Sequence, residues 1–375
     1  MISEENFGIY IHFPFCRKKC LYCDFYSVGE RLADWPLFGR AVENEFMTRQ
    51  IPSGSTVSLY LGGGTPSLAP VDLIKRFRNM IINPIGEFTI EVNPDDVTEE
   101  RAKGWADAGV NRVSMGVQTL NDSELRAIGR RHTASDVFSA YSILRKYFSN
   151  ISLDLIFGLP GQTISSLSDT IDRFLEMRPE HISAYSLMYE ERSALTRLRD
   201  AGKIAELPEE DSVEMFRLLT SKLRAAGYER YELSNYSLPG KRSHHNSNYW
   251  KGIPYIGLGP SAHSYDGDRE RRYNCADLSL YIKGFAELKG NAGVVESEFL
   301  SDEELREEMI MTRLRTCEGL DLKEFQDCFG EKERKKLEKR AVSYLKSGDL
   351  RSIDNHIILT DTGVMISDEI ISDLF

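Results

Sequence analysis

Gly8-Ile9-Tyr10-Ile11-His12-Phe13-Pro14-Phe15-Cys16 runs on through Cys20 and Cys23 to Phe25 and Tyr26. An apolar run ends in a loop that carries half of the six cysteines, spaced Cys-x3-Cys-x2-Cys. Thiolates this close, on a loop after a strand, converge on a soft metal. A structural zinc site wants four ligands, with His12 or a distant residue as the fourth. A four-iron cluster held by three thiolates keeps one iron open. Spacing alone also allows three ordinary reduced cysteines.

Outward from this loop, β-rich runs alternate with helical ones. Strands are expected at Ile9–Phe13, Val57–Leu61, Phe88–Val92, Arg112–Val117, Ile151–Phe157 and His181–Leu187. Helical patterns cover Leu32–Arg49, Pro70–Asn83, Thr98–Ala108, Asp122–Gly129, Ala134–Tyr147 and Ile164–Met177. Strict alternation predicts an α/β fold, with a parallel sheet and right-handed crossovers. Polar and glycine signals follow strands one to five. An open doubly wound sheet would gather them at one switch point, so a partial (β/α)6 TIM-like barrel is expected.

Beyond Met188 the pattern changes. Ser212–Gly227 reads as a helix, and Tyr228–Tyr273 is rich in aromatics, glycine, histidine and asparagine without clear period. Glu303–Cys317, Asp321–Phe329 and Lys332–Ser347 read as helices, Leu350–Leu359 as a hairpin and Thr360–Leu374 as a last helix. This order predicts a smaller, mainly helical, winged-helix-like C-terminal domain. The expected division is a barrel over residues 1–230, a connecting region over 231–300 and the C-terminal domain over 301–375.

The net charge of −11 argues against a nucleic-acid-binding surface. No apolar run approaches the ~20 residues of a membrane span. The N-terminus carries Glu4 and Glu5 and lacks a signal-peptide pattern. Cys275, Cys317 and Cys328 are scattered, the usage expected of a reducing cytoplasm.

The words around the cysteines resemble a known family. Tyr10-x-His12-x-Pro14-Phe15-Cys16-x3-Cys20-x-Tyr22-Cys23-x-Phe25 is similar to the cluster loop of radical S-adenosylmethionine (SAM) enzymes. The likeness is greatest to the branch of oxygen-independent coproporphyrinogen III oxidase and the HemW-type haem chaperones. The resemblance implies the partial barrel and a 4Fe-4S cluster on Cys16, Cys20 and Cys23. It also implies SAM on the open iron, which one-electron cleavage can turn into a 5′-deoxyadenosyl radical.

Gly62-Gly63-Gly64-Thr65-Pro66 comes straight off a strand and lets the backbone approach a ligand. It lacks the Gly-Lys-Ser/Thr ending of a P-loop, and alone it is equally a tight turn. Beside the cluster loop it resembles the family's motif for the SAM amino group, through Gly63, Gly64 and Thr65. Glu91, Gln118 and Asp154 sit at or near strand ends, and Arg130 in Gly129-Arg130-Arg131-His132. A carboxylate in an apolar strand is costly to bury unless paired or bound. Each of the four is otherwise a solvated strand end or a structural hydrogen-bonder. The resemblance implies that they contact SAM, with Glu91 and Asp154 on the ribose or methionyl amine and Arg130 on its carboxylate. It places Tyr10 and Tyr22 near the same ligand.

His244-His245-Asn246-Ser247-Asn248-Tyr249-Trp250 is by itself a polar aromatic loop or a helix cap. Histidine is also an axial ligand to haem iron, and Tyr and Trp stack on a flat macrocycle. His245, Asn246, Tyr249 and Trp250 match the His-Asn-x-x-Tyr-Trp signature of HemW-type chaperones, which implies haem binding. His263, in Tyr255–His263, is a second candidate ligand. Three features separate chaperone from oxidase. Phe25 stands where the oxidases carry a fourth cysteine, the first cluster cysteine comes as early as residue 16, and the haem signature is present. The expected protein is a cytoplasmic haem chaperone without coproporphyrinogen oxidase activity; the alternative is an oxygen-independent coproporphyrinogen III oxidase that decarboxylates its substrate by radical SAM chemistry. Its partners would be haem and haem acceptors such as respiratory enzymes, reached by peripheral membrane contact. A homodimer is compatible with the family, although no apolar stripe marks an interface.

Overall fold

The computed structural model describes residues 6–29, 34–51, 55–286 and 293–375. Its first six long strands are β1 Asn6–Phe13, β2 Thr56–Gly63, β3 Ile85–Val92, β4 Arg112–Gln118, β5 Ile151–Phe157 and β6 His181–Ser186. Each pairs in parallel with the next, in chain order and without a switch point. That is the partial (β/α)6 barrel expected from alternation. The expected helix from Leu32 begins at Asp34 and ends at Met47, with residues 32 and 33 outside the described residues.

The stretch without clear period holds the main surprise. It contributes β7 Glu229–Arg230, β8 Asn235–Ser237, β9 Tyr255–Leu258, β10 His263–Tyr265 and β11 Glu270–Asn274, followed by β12 Val295–Phe299. β9 joins the free edge of β1 in parallel, Gly8 opposite Tyr255. β10, β11 and β12 continue antiparallel from it, and β8 and β7 extend the β6 edge. The sheet therefore has twelve strands among the described residues, in the order β12-β11-β10-β9-β1-β2-β3-β4-β5-β6-β8-β7. A four-residue parallel strand has too few positions to show a period, which hid β9 from the sequence.

Alternation along the strands sets the two faces of the barrel wall. Ile9, Ile11, Phe13, Leu59, Leu61, Phe88, Ile90, Val113, Met115 and Leu153 are buried under the helices in one core. Each such side chain contributes about 1.5–3 kcal/mol on burial. The intervening residues, among them Tyr10, His12, Tyr60, Glu91 and Asp154, face the lumen. Capping boxes at Thr133/Asp136 and Thr163/Ser166 start two of the covering helices.

A second apolar cluster includes Ile310, Leu314, Phe325, Leu337, Ile357, Leu359 and Ile370. It lies between helices Asp302–Leu314, Leu322–Phe329 and Glu331–Ser347 and a small antiparallel sheet. The hairpin Leu350–Leu359 turns at Asp354 and Asn355, whose φ of 45° and 69° suit a tight two-residue turn. The expected last helix is two, Asp361–Met365 and Ser367–Leu374. Among the described residues no helix is long and apolar enough to cross a membrane.

Candidate functional site

The cysteine loop follows β1 at the C-terminal rim of the barrel, the end where such barrels place their chemistry. Cys16 Sγ accepts the Thr65 hydroxyl at 3.3 Å, and Cys20 Sγ faces Arg130 Nη1 at 3.5 Å. Burial, with smaller contributions from the nearby Cys20 and Cys16, pushes the Cys23 thiol up to about 11 against the backbone hydrogen bond from Phe25. All three sulfurs thus lie in one neighbourhood. Among the described residues no three His, Cys, Asp or Glu side chains converge closely enough to hold a single ion. A four-iron cluster spreads its thiolates over separate corners and does not need them to meet at one ion. Gly64 makes room beside them: a Cβ there would stand 2.8 Å from the Phe13 and Phe15 carbonyls and 3.1 Å from Cys16 Sγ.

Gly63 has φ of +104°, a conformation glycine tolerates, and its N–H donates to Glu91 Oε2 at 3.1 Å. Glu91 Oε1 takes the Tyr60 hydroxyl at 2.9 Å. Burial pushes Glu91 up to about 7, and the carboxylate of Asp154 pushes the same way. Asp154, bonded to the Ser114 hydroxyl at 3.1 Å, is raised to about 6 by burial, with hydrogen bonds from Ser183 and Ser114 opposing. Tyr10, Tyr60, Glu91, Gly116, Arg130 and Asp154 are all only partly buried, so the lumen is open along this layer. Gln118 ends β4 with φ of 70° beside a register shift, a strained geometry of the kind found at ligand sites. Arg130 Nη2 donates to the Asn93 side chain at 2.8 Å and to the Gly116 carbonyl. Tyr22 packs near Ile128, Ile156 and Leu159, within reach of the Arg130 charge.

All nine SAM candidates thus line the C-terminal half of the lumen or its rim, beside the cysteines. Sequence reasoning missed Asn93, which binds both Arg130 and, at 3.4 Å, the Thr65 hydroxyl. An asparagine directly between a strand and a proline was its signal. It offered His12 only as a fourth ligand of a zinc site. Its Nδ1 meets the Tyr10 hydroxyl at 3.2 Å and its Nε2 the Tyr26 carbonyl at 2.8 Å, tying β1 to the far end of the cysteine loop.

The haem candidates lie elsewhere. His244–Trp250 is a helix capped by Ser243. His245 meets Ser58, early in β2, at the N-terminal end of the barrel and away from the cysteines. Its Nδ1 is 2.9 Å from the Ser58 hydroxyl and its Nε2 3.0 Å from the Tyr249 hydroxyl. Burial lowers it to about 4, against the opposing effect of Glu87. Tyr249 stands edge-on to Tyr255, and the Trp250 carbonyl accepts Arg313 from the C-terminal region. The Asn246 backbone N–H donates to the capping Ser243 Oγ at 3.3 Å. His263 is exposed and stacks on Tyr273 with centroids 5.7 Å apart, on β10, which pairs with β9.

Residues 10–174 match the model of the radical SAM superfamily, and residues 300–366 that of the HemN C-terminal domain. The heme chaperone HemW of Bacillus subtilis is 36% identical, over 96% of this chain and 97% of its own. The chain belongs to the HemW family. Other relatives include the heme chaperone HemW of Mycobacterium tuberculosis, 30% identical over 99% of this chain and 95% of its own. A zebrafish (Danio rerio) radical S-adenosyl methionine domain-containing protein 1, mitochondrial, is 32% identical over 84% of this chain and 73% of its own. Among solved structures, coproporphyrinogen III oxidase (HemN) from Escherichia coli superposes with a TM-score of 0.83. It covers 99% of this chain and 91% of its own at 22% identity, a likeness of fold. This chain and the oxidase therefore share the fold. Phe25 is 66% exposed on the cysteine loop.

Proposed function

We propose that this protein is a haem chaperone that binds haem and passes it to acceptor proteins. The observation that carries the reading is its near-full-length likeness to proteins named heme chaperone. In this proposal Cys16, Cys20 and Cys23 hold a 4Fe-4S cluster. Tyr10, Tyr22, Gly63, Gly64, Thr65, Glu91, Gln118, Arg130 and Asp154 hold SAM against it. When bound, cluster and SAM together supply one-electron chemistry at the sulfonium. The chain's own part is to place the methionyl carboxylate by Arg130, to accept hydrogen bonds at Glu91 and Asp154, and to close the lumen from below.

His245, Asn246, Tyr249 and Trp250 form the haem site in the same proposal, with His263 as a second candidate ligand. The division at residues 230 and 300, a cytoplasmic location, respiratory acceptors, peripheral membrane contact and a homodimer complete it.

The test is an anaerobic haem titration of the cluster-reconstituted protein, run beside an assay for protoporphyrinogen formation from coproporphyrinogen III. Stoichiometric haem uptake that His245→Ala abolishes, with no porphyrinogen product, is the expected result. Product formation with SAM and a reductant would establish the oxidase instead.

A further inference from the structure

The floor of the barrel holds a buried carboxylate that no role above uses. Glu87 is 5% exposed on the lumen face of β3, four residues before Glu91. It accepts the backbone N–H groups of His244 at 2.9 Å and His245 at 3.0 Å, and the Ser243 hydroxyl at 3.3 Å. Burial alone would push its carboxyl up. The Arg112 guanidinium and the two N–H groups outweigh burial and hold it below the usual range. Ser58 grips the same helix a second time, meeting His245 Nδ1 and taking the Asn248 amide at 3.2 Å.

His245 itself is 2% exposed. Both ring nitrogens have partners, and one face lies on Tyr60 with centroids 4.9 Å apart. A histidine that ligates haem must turn one nitrogen lone pair to the iron, with room for the macrocycle beside it. The seated helix offers neither.

We propose that Glu87 is a positioning residue that locks the His244–Trp250 helix onto the barrel floor, and that haem capture at His245 opens this lock. The inference rests on the haem reading given above. Seated helix and haem-bound helix exclude one another. Apparent haem affinity is then the intrinsic affinity reduced by the fraction of chains with the helix released. Reseating on Glu87 and Ser58 in turn favours release of haem to an acceptor.

The test compares full-length, cluster-reconstituted wild type with Glu87→Gln and Ser58→Ala. Amide hydrogen exchange over residues 243–253 is followed without haem, and haem capture by stopped flow. Glu87→Gln keeps the size but loses the charge. It is expected to speed exchange in this segment while β5 stays protected, and to speed haem capture on the order of tenfold. Ser58→Ala is expected to act in the same direction and less, and it decides the matter should the unpaired Arg112 keep Glu87→Gln from folding. Unchanged exchange in the folded variants, or faster exchange with capture at the wild-type rate, overturns the lock. Haem uptake by His245→Ala at the wild-type rate overturns the ligand assignment and the capture half of the proposal. The exchange result still judges the lock.

Discussion

The imidazole of His245 lies on the phenol ring of Tyr60, with planes 25° apart and centroids separated by 4.9 Å. The Tyr60 hydroxyl reaches up to Glu91, and Glu91 takes the N–H of Gly63. One aromatic side chain thus stands between the haem-signature helix at the floor and the glycine motif at the mouth. Tyr60→Phe keeps the ring and removes the hydroxyl. It is expected to cost about 1 kcal/mol in urea denaturation, because Glu91 loses one of its two donors. A loss of several kcal/mol would mean that the stack itself had been disturbed.

Acid weakens the apoprotein through buried imidazoles. Burial holds His12 at about 4, His132 at about 3 and His245 at about 4, against an ordinary 6.5. The unfolded chain binds protons first. Their contribution is therefore fully present above pH 6.5 and is lost as pH falls through about 4. Glu91 and Asp154, raised to about 7 and about 6, act oppositely: their ionisation weakens the fold as pH rises, and acid relieves it. Three imidazoles outweigh two carboxyls. The urea midpoint is expected to fall from pH 6.5 to pH 4.5, and to fall more steeply in Glu91→Gln, which lacks one opposing group. A midpoint that rose on acidification would contradict this.

Gly64→Ala adds a methyl against two carbonyl oxygens and Cys16 Sγ. Crowding of this kind costs about 1–3 kcal/mol and displaces the cysteine loop. Iron and sulfide content after anaerobic reconstitution is expected to drop well below wild type, while far-ultraviolet circular dichroism stays the same.

Arg130→Lys replaces a planar fork by a point charge. The contacts with Asn93, Gly116 and Cys20 are not all reproduced by one ammonium. SAM affinity, read by equilibrium dialysis on reconstituted protein, is expected to fall about tenfold or more, as for loss of a bidentate carboxylate contact. Affinity equal to wild type would remove Arg130 from the SAM site.

Phe25→Cys gives the loop the Cys-x3-Cys-x2-Cys-x-Cys spacing that the sequence resemblance implies for the oxidases. Phe25 is largely exposed, so stability is expected to change by no more than about 0.5 kcal/mol. No porphyrinogen product is expected, because the fourth cysteine alone does not supply a substrate site. Appearance of protoporphyrin fluorescence with SAM and reductant would show that residue 25 does decide between the two chemistries.

The sequence by itself determined the barrel, the cysteine loop and the ring of strand-end residues. Those features are local: a strand, its following loop and their alternation all lie within a few dozen residues, and period-two and period-3.6 patterns report them directly. It also marked Glu91, and the same period run back four residues along β3 points to Glu87 on the same lumen face. Only the tertiary structure decided what His245 touches. Its motif reads equally as a haem ligand or a capped helix. The difference lies in Ser58, Tyr60 and Glu87, contributed by strands far away in the chain. Whether a nitrogen is free, and whether a carboxylate is held charged, depends on desolvation and on partners across the barrel. No spacing along the chain encodes those. β9 was hidden for the same reason: too short for a period, it is a strand because β1 offers it an edge.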